Sequence, residues 1–320
     1  MSYPRHLTAS YGLPVFDFPQ LGEEVKDPLP EADAVAWRIS ADTCHAPEYW
    51  PQAFARFTET VDITRVRSVI VGVWRHTVEC GPEHIIATLL DARDRLPALR
   101  ALFLGDMQFN ECEISRIYQD DVGPLLEGFP ELEEFGVRGG SALVFPEIAH
   151  HSLRSLVIET GGMPAEVVRG IAGSDLPALE HLDLWLGTDE YGGDAVIADV
   201  APILDGFRLP RLRHLALRNS DIQDDIAVAI ASAPVVTRLE TLNLSLGVLT
   251  DAGGIALLTG QPLTHLKRLD LHHNYLGEQL RERLRDVLSA AGVDLDVDPD
   301  GASEYDWGDG EISRYVAVGE

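Results

Sequence analysis

His181, Asp183 and His214 are the residues of this 320-residue chain best suited to chemistry. Two imidazoles and a carboxylate can share a metal ion or relay a proton. Trp185 and Arg218 suit recognition instead, because a guanidinium stacks on an indole face and both residue types dominate binding hot spots. Arg138 and Glu159 offer a cross-strand ion pair, and Tyr191 lies in a Gly-rich turn, LGTDEYGGD. Near the end of the chain, Asp296-Val-Asp298-Pro-Asp300-Gly301 matches the first half of a calcium loop. Such a loop needs a bidentate acid at its twelfth position. That position here is Trp307, so the stretch reads first as an acidic segment, with a calcium site as the alternative.

Whether these residues meet depends on the elements that carry them, and the sequence repeats. The phrase LxxLxLxx starts at Val66, Leu99, Leu132, Leu153, Leu179, Leu212, Leu239 and Leu266, with spacings of 33, 33, 21, 26, 33, 27 and 27 residues. The last two apolar positions of each phrase are two apart, so they share one face of a short strand. The residues that follow take helical spacing, as in Asp251 to Gly260, Asp224 to Ser232 and Gly277 to Ala291. Strand and helix in alternation stack the strands in parallel and put the helices outside.

The repeat predicts three columns of side chains pointing away from the helices. The first is Ser68, Ala101, Glu134, Ser155, His181, His214, Thr241, Arg268. The second is Ile70, Phe103, Gly136, Val157, Asp183, Ala216, Asn243, Asp270. The third is Gly72, Gly105, Arg138, Glu159, Trp185, Arg218, Ser245, His272. Neighbours in a column are about 4.8 Å apart, the strand spacing. Trp185 is thereby set beside Arg218, ringed by Asp183, His181, His214, Arg138 and Glu159, either as an exposed binding pair or with its indole packed under an inserted loop. The apolar start of the second column requires a cover, either residues 1–33 or a partner.

The phrases LRHLALRNSDIQDDIAVAIA, LETLNLSLGVLTDAGGIALL and LKRLDLHHNYLGEQLRERL resemble the ribonuclease-inhibitor-like class of leucine-rich repeats. LFLGDM, ETGGM and LDLWLGTDEYGGD are similar to a family of uncharacterised bacterial cytoplasmic leucine-rich-repeat proteins. The resemblance implies an α/β horseshoe with a parallel sheet on its concave face and helices on its convex face. It implies no established activity. Two departures stand out. The ladder asparagine after the strand survives only as Asn274, and the 33-residue spacings mark inserted loops, 105–126 the longest and Leu186 to Asp194 the second.

Three regions follow: 1–62 as an N-terminal arm and cap, 63–291 as the repeat array, and 292–320 as an acidic C-terminal tail. Ala34 to Ile39 reads as a strand and Pro47 to Thr58 as an amphipathic helix within the cap. Lys plus Arg is 25 against 52 Asp plus Glu, a net charge of −27, which argues against nucleic acid and anionic membranes and favours a basic protein partner. Cys44, Cys80 and Cys112 form no CxxC and fit a reducing compartment. With neither a signal peptide nor an 18-residue apolar run in the sequence, a cytoplasmic monomer is expected. GxSxG, GxxxxGK[ST] and HExxH are absent. The expectation is therefore a protein-binding or scaffold protein, without cofactor or metal and not an enzyme. It would act through Trp185, Arg218, Asp183, His181, His214, Arg138, Glu159 and Tyr191. The alternative is an enzyme or enzyme activator built on the His/Asp/Arg cluster.

Overall fold

The computed structural model describes residues 4–23, 28–41, 48–306, 308 and 312–320. Cys44, Pro47 and Trp307 lie outside the described residues. Short apolar runs, several of them buried along their whole length, build twelve strands into one sheet in chain order. They are β1 (Ala9–Ser10), β2 (Leu13–Asp17), β3 (Ala36–Ile39), β4 (Ser68–Val71), β5 (Ala101–Leu104), β6 (Glu134–Arg138), β7 (Ser155–Glu159), β8 (His181–Gly187), β9 (His214–Ser220), β10 (Thr241–Asn243), β11 (Arg268–Asp270) and β12 (Asp294–Asp296). Every pairing from β2 to β12 is parallel, and β1 is antiparallel to β2. The acid-rich segment after 291 thus begins as the last strand of the sheet. It continues into a separate hairpin of β13 (Tyr305–Asp306) and β14 (Ile312–Ser313).

Helices alternate with the strands: α1 (Trp50–Thr60), α2 (Glu83–Asp91), α3 (Gly123–Gly128), α4 (Ala165–Gly173), α5 (Ile197–Asp205), α6 (Gln223–Ile230), α7 (Asp251–Thr259) and α8 (Glu278–Leu284). Between β6 and β7, where the repeat is only 21 residues long, no helix forms. Leu102, Leu104, Leu182, Leu184, Leu215, Leu217, Leu269 and Leu271 turn towards the helices into one continuous core. Consecutive helices are also stitched by the sequence. Asp224 of α6 accepts the amides of Thr250 and Gly253 at the start of α7, and Asp251 of α7 accepts the amide of Gly277 at the start of α8. Each carboxylate meets amide donors at a helix start that lack intrahelical partners, and a 27-residue spacing repeats the device.

The strand register reproduces the first two columns in full and the third at two pairs. Ser68, Ala101, Glu134, Ser155, His181, His214, Thr241 and Arg268 are paired in that order, as are Ile70 through Asp270, and Trp185 faces Arg218 as Arg138 faces Glu159. The chain is therefore an α/β, solenoid-like array of strand–helix units on a mostly parallel sheet. No helix among the described residues is long and apolar enough to cross a membrane.

Candidate functional site

The sheet face opposite the helices is covered at its start and along one edge, and open between. The start is covered by residues 5–15. Ile70 and Phe103 are buried with Ala36 beneath Leu7, Leu13 and Val15, the cover that their outward apolar side chains required. The Phe103 ring lies against Gly136, where any Cβ would meet it. Val157, further along the column, stays partly exposed.

Beneath this cover is an ion network that the spacing revealed only in part. Asp106, 0% exposed, accepts from Arg38 at 2.8 Å and Arg138 at 3.2 Å and also holds the Leu7 amide. Arg138 is bound to Glu159 at 2.7 Å and donates to the carbonyls of Met107 and Arg5. Arg138 and Glu159, expected on an open surface, are buried and fasten the leading segment to the sheet. The sequence marked the Arg138–Glu159 pair of this network, and for the rest its signal was Asp106, an acid directly following the Gly105 turn.

Trp185 also departs from expectation. The Arg218 guanidinium lies 4.7 Å from the centre of its ring and binds Asp183 through two hydrogen bonds, at 2.9 and 2.6 Å. Trp185 is only 7% exposed, however, because Ala317 and Val318 pack over it with Ile114 and Leu246. The segment 314–320 returns along the C-terminal ends of the strands, where Tyr191 donates to Glu320. Trp185 is therefore not an exposed hot spot. Spacing could not show this, since the covering residues lie about 130 positions downstream and outside the repeat.

The open part lies between these covers. A trough of about 470 Å³ is lined by Tyr11, Glu133, Glu134, Arg154, Ser155, Glu180, His181 and His214. It adjoins a smaller hollow of about 140 Å³, whose lining includes His181, Asp183, His214, Thr241, Asn243, Arg268 and Asp270. His181 and His214 form the ridge between them, their rings edge-to-face at 6.1 Å. Ser155 Oγ lies 3.0 Å from His181 Nδ1, and Thr241 Oγ1 lies 2.9 Å from His214 Nδ1. Burial depresses the His181 pKa, with His214 and Arg218 adding to it against the pull of Asp183, so this ring is neutral at pH 7.

His181, Asp183 and His214 are neighbours, but they do not converge as metal ligands. Among the described residues, the one group that brings three donor atoms within 4.8 Å of one another is Asp270, His272 and Asp296. That group is already engaged. Arg268 reaches Asp270 at 3.2 Å, and His272 bonds Asp270 at 2.7 Å. The hydrogen bond to Asp270, outweighing burial, raises the His272 pKa. In the stretch that matched half a calcium loop, Asp296 and Asp298 accept the amides of Asp298 and Asp300, and the ninth-position acid Glu304 pairs with Arg314.

No protein-family model matches the sequence, and neither does any curated protein. Among solved structures, the chain is similar to the crystal structure of a protein from Bacteroides fragilis. The TM-score is 0.72 at 29% identity, over 79% of this chain and 70% of that one. The likeness concerns the fold and brings no activity with it.

Proposed function

We propose that this chain is a leucine-rich-repeat protein that binds another protein along the open, concave face of a horseshoe, at the trough on either side of His181 and His214. The observation that supports this reading is the distribution of cover. Chain segments of the protein itself occupy the start of the face and its edge, while five consecutive strands, β7 to β11, present polar and partly exposed residues to an open trough. Rigid strands hold these side chains in fixed columns, and a preorganised surface loses little entropy on binding. Glu133, Glu134, Glu180 and Asp270 outnumber Arg154 and Arg268 in the lining, and the net charge is −27. A basic segment of the partner fits this field. The reading is of a non-enzymatic, cytoplasmic, monomeric binding protein: Asp183 is committed to Arg218, and the two imidazoles bond to hydroxyl side chains.

Affinity capture with the full-length protein tests it. His214→Arg fills the trough and Thr241→Arg the hollow beside it with bulk and positive charge, whereas Val228→Arg alters an exposed residue of α6. A partner retained by wild type and Val228→Arg but lost with both trough variants supports the proposal. Retention by both trough variants contradicts it.

A further inference from the structure

The covered edge repeats a geometry of its own. Asn219, Leu246 and His273 each follow a third-column residue, at 27-residue spacing, and each takes a left-handed backbone with φ of 55°, 67° and 53°. Such conformations cost energy in residues other than glycine and persist where the surroundings enforce them. All three touch the same extended segment. Asn219 donates Nδ2 to the Val318 carbonyl at 2.6 Å and accepts the Val318 amide at 3.0 Å. The Leu246 carbonyl accepts the Ala317 amide at 2.8 Å. His273 Nε2 lies 3.2 Å from the Tyr315 carbonyl, and Tyr275 Oη both donates to that carbonyl and accepts the Tyr315 amide. Residues 315–318 therefore run across three successive repeats, and each repeat reads their main chain.

Main-chain contacts tolerate many sequences, and side-chain pockets add specificity. Here the pocket is the floor of Trp185 and Leu246, walled by Ile114 and filled by Ala317 and Val318. Tyr315, 48% exposed, contributes its backbone and little of its ring. Gly161 gives further close approach, since a Cβ there would collide with the Gly319 carbonyl. The fit is also incomplete. Trp185 Nε1 is buried and has no hydrogen-bond partner among the described residues, and a buried donor without an acceptor is costly.

We propose that this edge is a peptide-binding ladder. It takes an extended segment of a partner protein bearing two consecutive small apolar residues, and residues 315–320 are its occupant in cis. A partner segment that also brings an acceptor to Trp185 Nε1 would satisfy what the cis segment leaves unmet. This site is distinct from the trough: its determinants are Asn219, Leu246 and Trp185, none of which lines the trough.

The probe is a fluorescein-labelled peptide of residues 312–320, added to full-length protein and followed by anisotropy. Val318→Asp places a charge in the apolar pocket and releases the cis segment. A tethered segment competes at an effective concentration on the order of millimolar. Val318→Asp should therefore bind the probe at least about tenfold more tightly than wild type. Adding Asn219→Gly, which keeps the backbone free to hold its φ but removes the amide that reads Val318, should reverse the gain. A probe with Asp at both positions 317 and 318 should not bind. A folded Val318→Asp protein that binds the probe no better than wild type, or equally well with and without Asn219→Gly, overturns the proposal. Should Val318→Asp fail to fold, hydrogen exchange on wild type decides. The ladder requires the Ala317 and Val318 amides to open while β8 and β9 stay protected, and exchange of those amides only through global unfolding overturns it.

Discussion

Removal of the Asp106 carboxylate probes how the leading segment is fixed to the sheet. Asp106 is fully buried and serves Arg38, Arg138 and the Leu7 amide. Deleting one partner of a buried ion pair costs about 3–5 kcal/mol, because the remaining charge is left uncompensated. Arg138 keeps Glu159 and two carbonyls, and Arg38 keeps Asp17. Asp106→Ala should therefore fall near the lower end, about 3 kcal/mol. The loss should begin locally, since Leu7 would lose its acceptor and the cover over Ile70 and Phe103 would loosen. Urea denaturation gives the magnitude, and hydrogen exchange gives the location, through the amides of Leu7 and of Tyr11, which bonds Glu134. A loss below about 1 kcal/mol with unchanged protection of both amides would show that Asp106 does not hold the leading segment to the sheet.

Gly136→Val should cost about 1–3 kcal/mol, because the Phe103 ring lies where the new Cβ would sit; a denaturation midpoint equal to wild type would show that the ring has room to move. His181 carries a depressed pKa in the folded state, caused first by burial. Its contribution is therefore complete above the unfolded value of about 6.5 and is lost as pH falls below it. Between pH 7.5 and 5.5, His181→Asn should lose less stability than wild type, and equal losses would contradict the shift. His272 has the opposite sign. Its pKa is raised, so its stabilisation is present below about 6.5 and disappears as pH rises through the folded value. His272→Ala should accordingly be more damaging at pH 6 than at pH 9, as compared by chemical denaturation.

The strands β4 to β11, their order and the register of the first two columns were legible because a period of two is so restrictive, whereas β1, β2 and β12 lay in stretches read as an arm and a tail. A one-residue slip in any repeat would have turned its buried leucines, such as Leu182 and Leu184, out of the core. The need to cover Ile70 and Phe103 was legible for the same reason. What the sequence hid was long-range. Asp106 meets Arg38 and Arg138 across separations of 68 and 32 residues, and no local pattern marks either pairing. Trp185 occupies its expected column, but residues with no repeat signal bury it. Column position determines direction, whereas exposure depends on whatever else the chain lays over that direction. The left-handed positions at Asn219, Leu246 and His273 were equally hidden, because none is a glycine and the usual marker of positive φ is missing.

The most direct test of the proposed binding face is site-specific photo-crosslinking in a lysate of cells that express the protein. A photoreactive phenylalanine replaces Thr241 in the hollow beside the trough in one sample and Val228 on the helical face in another. A discrete crosslinked partner is expected at Thr241 and none at Val228. Crosslinking at Val228 with none at Thr241 would contradict the proposal.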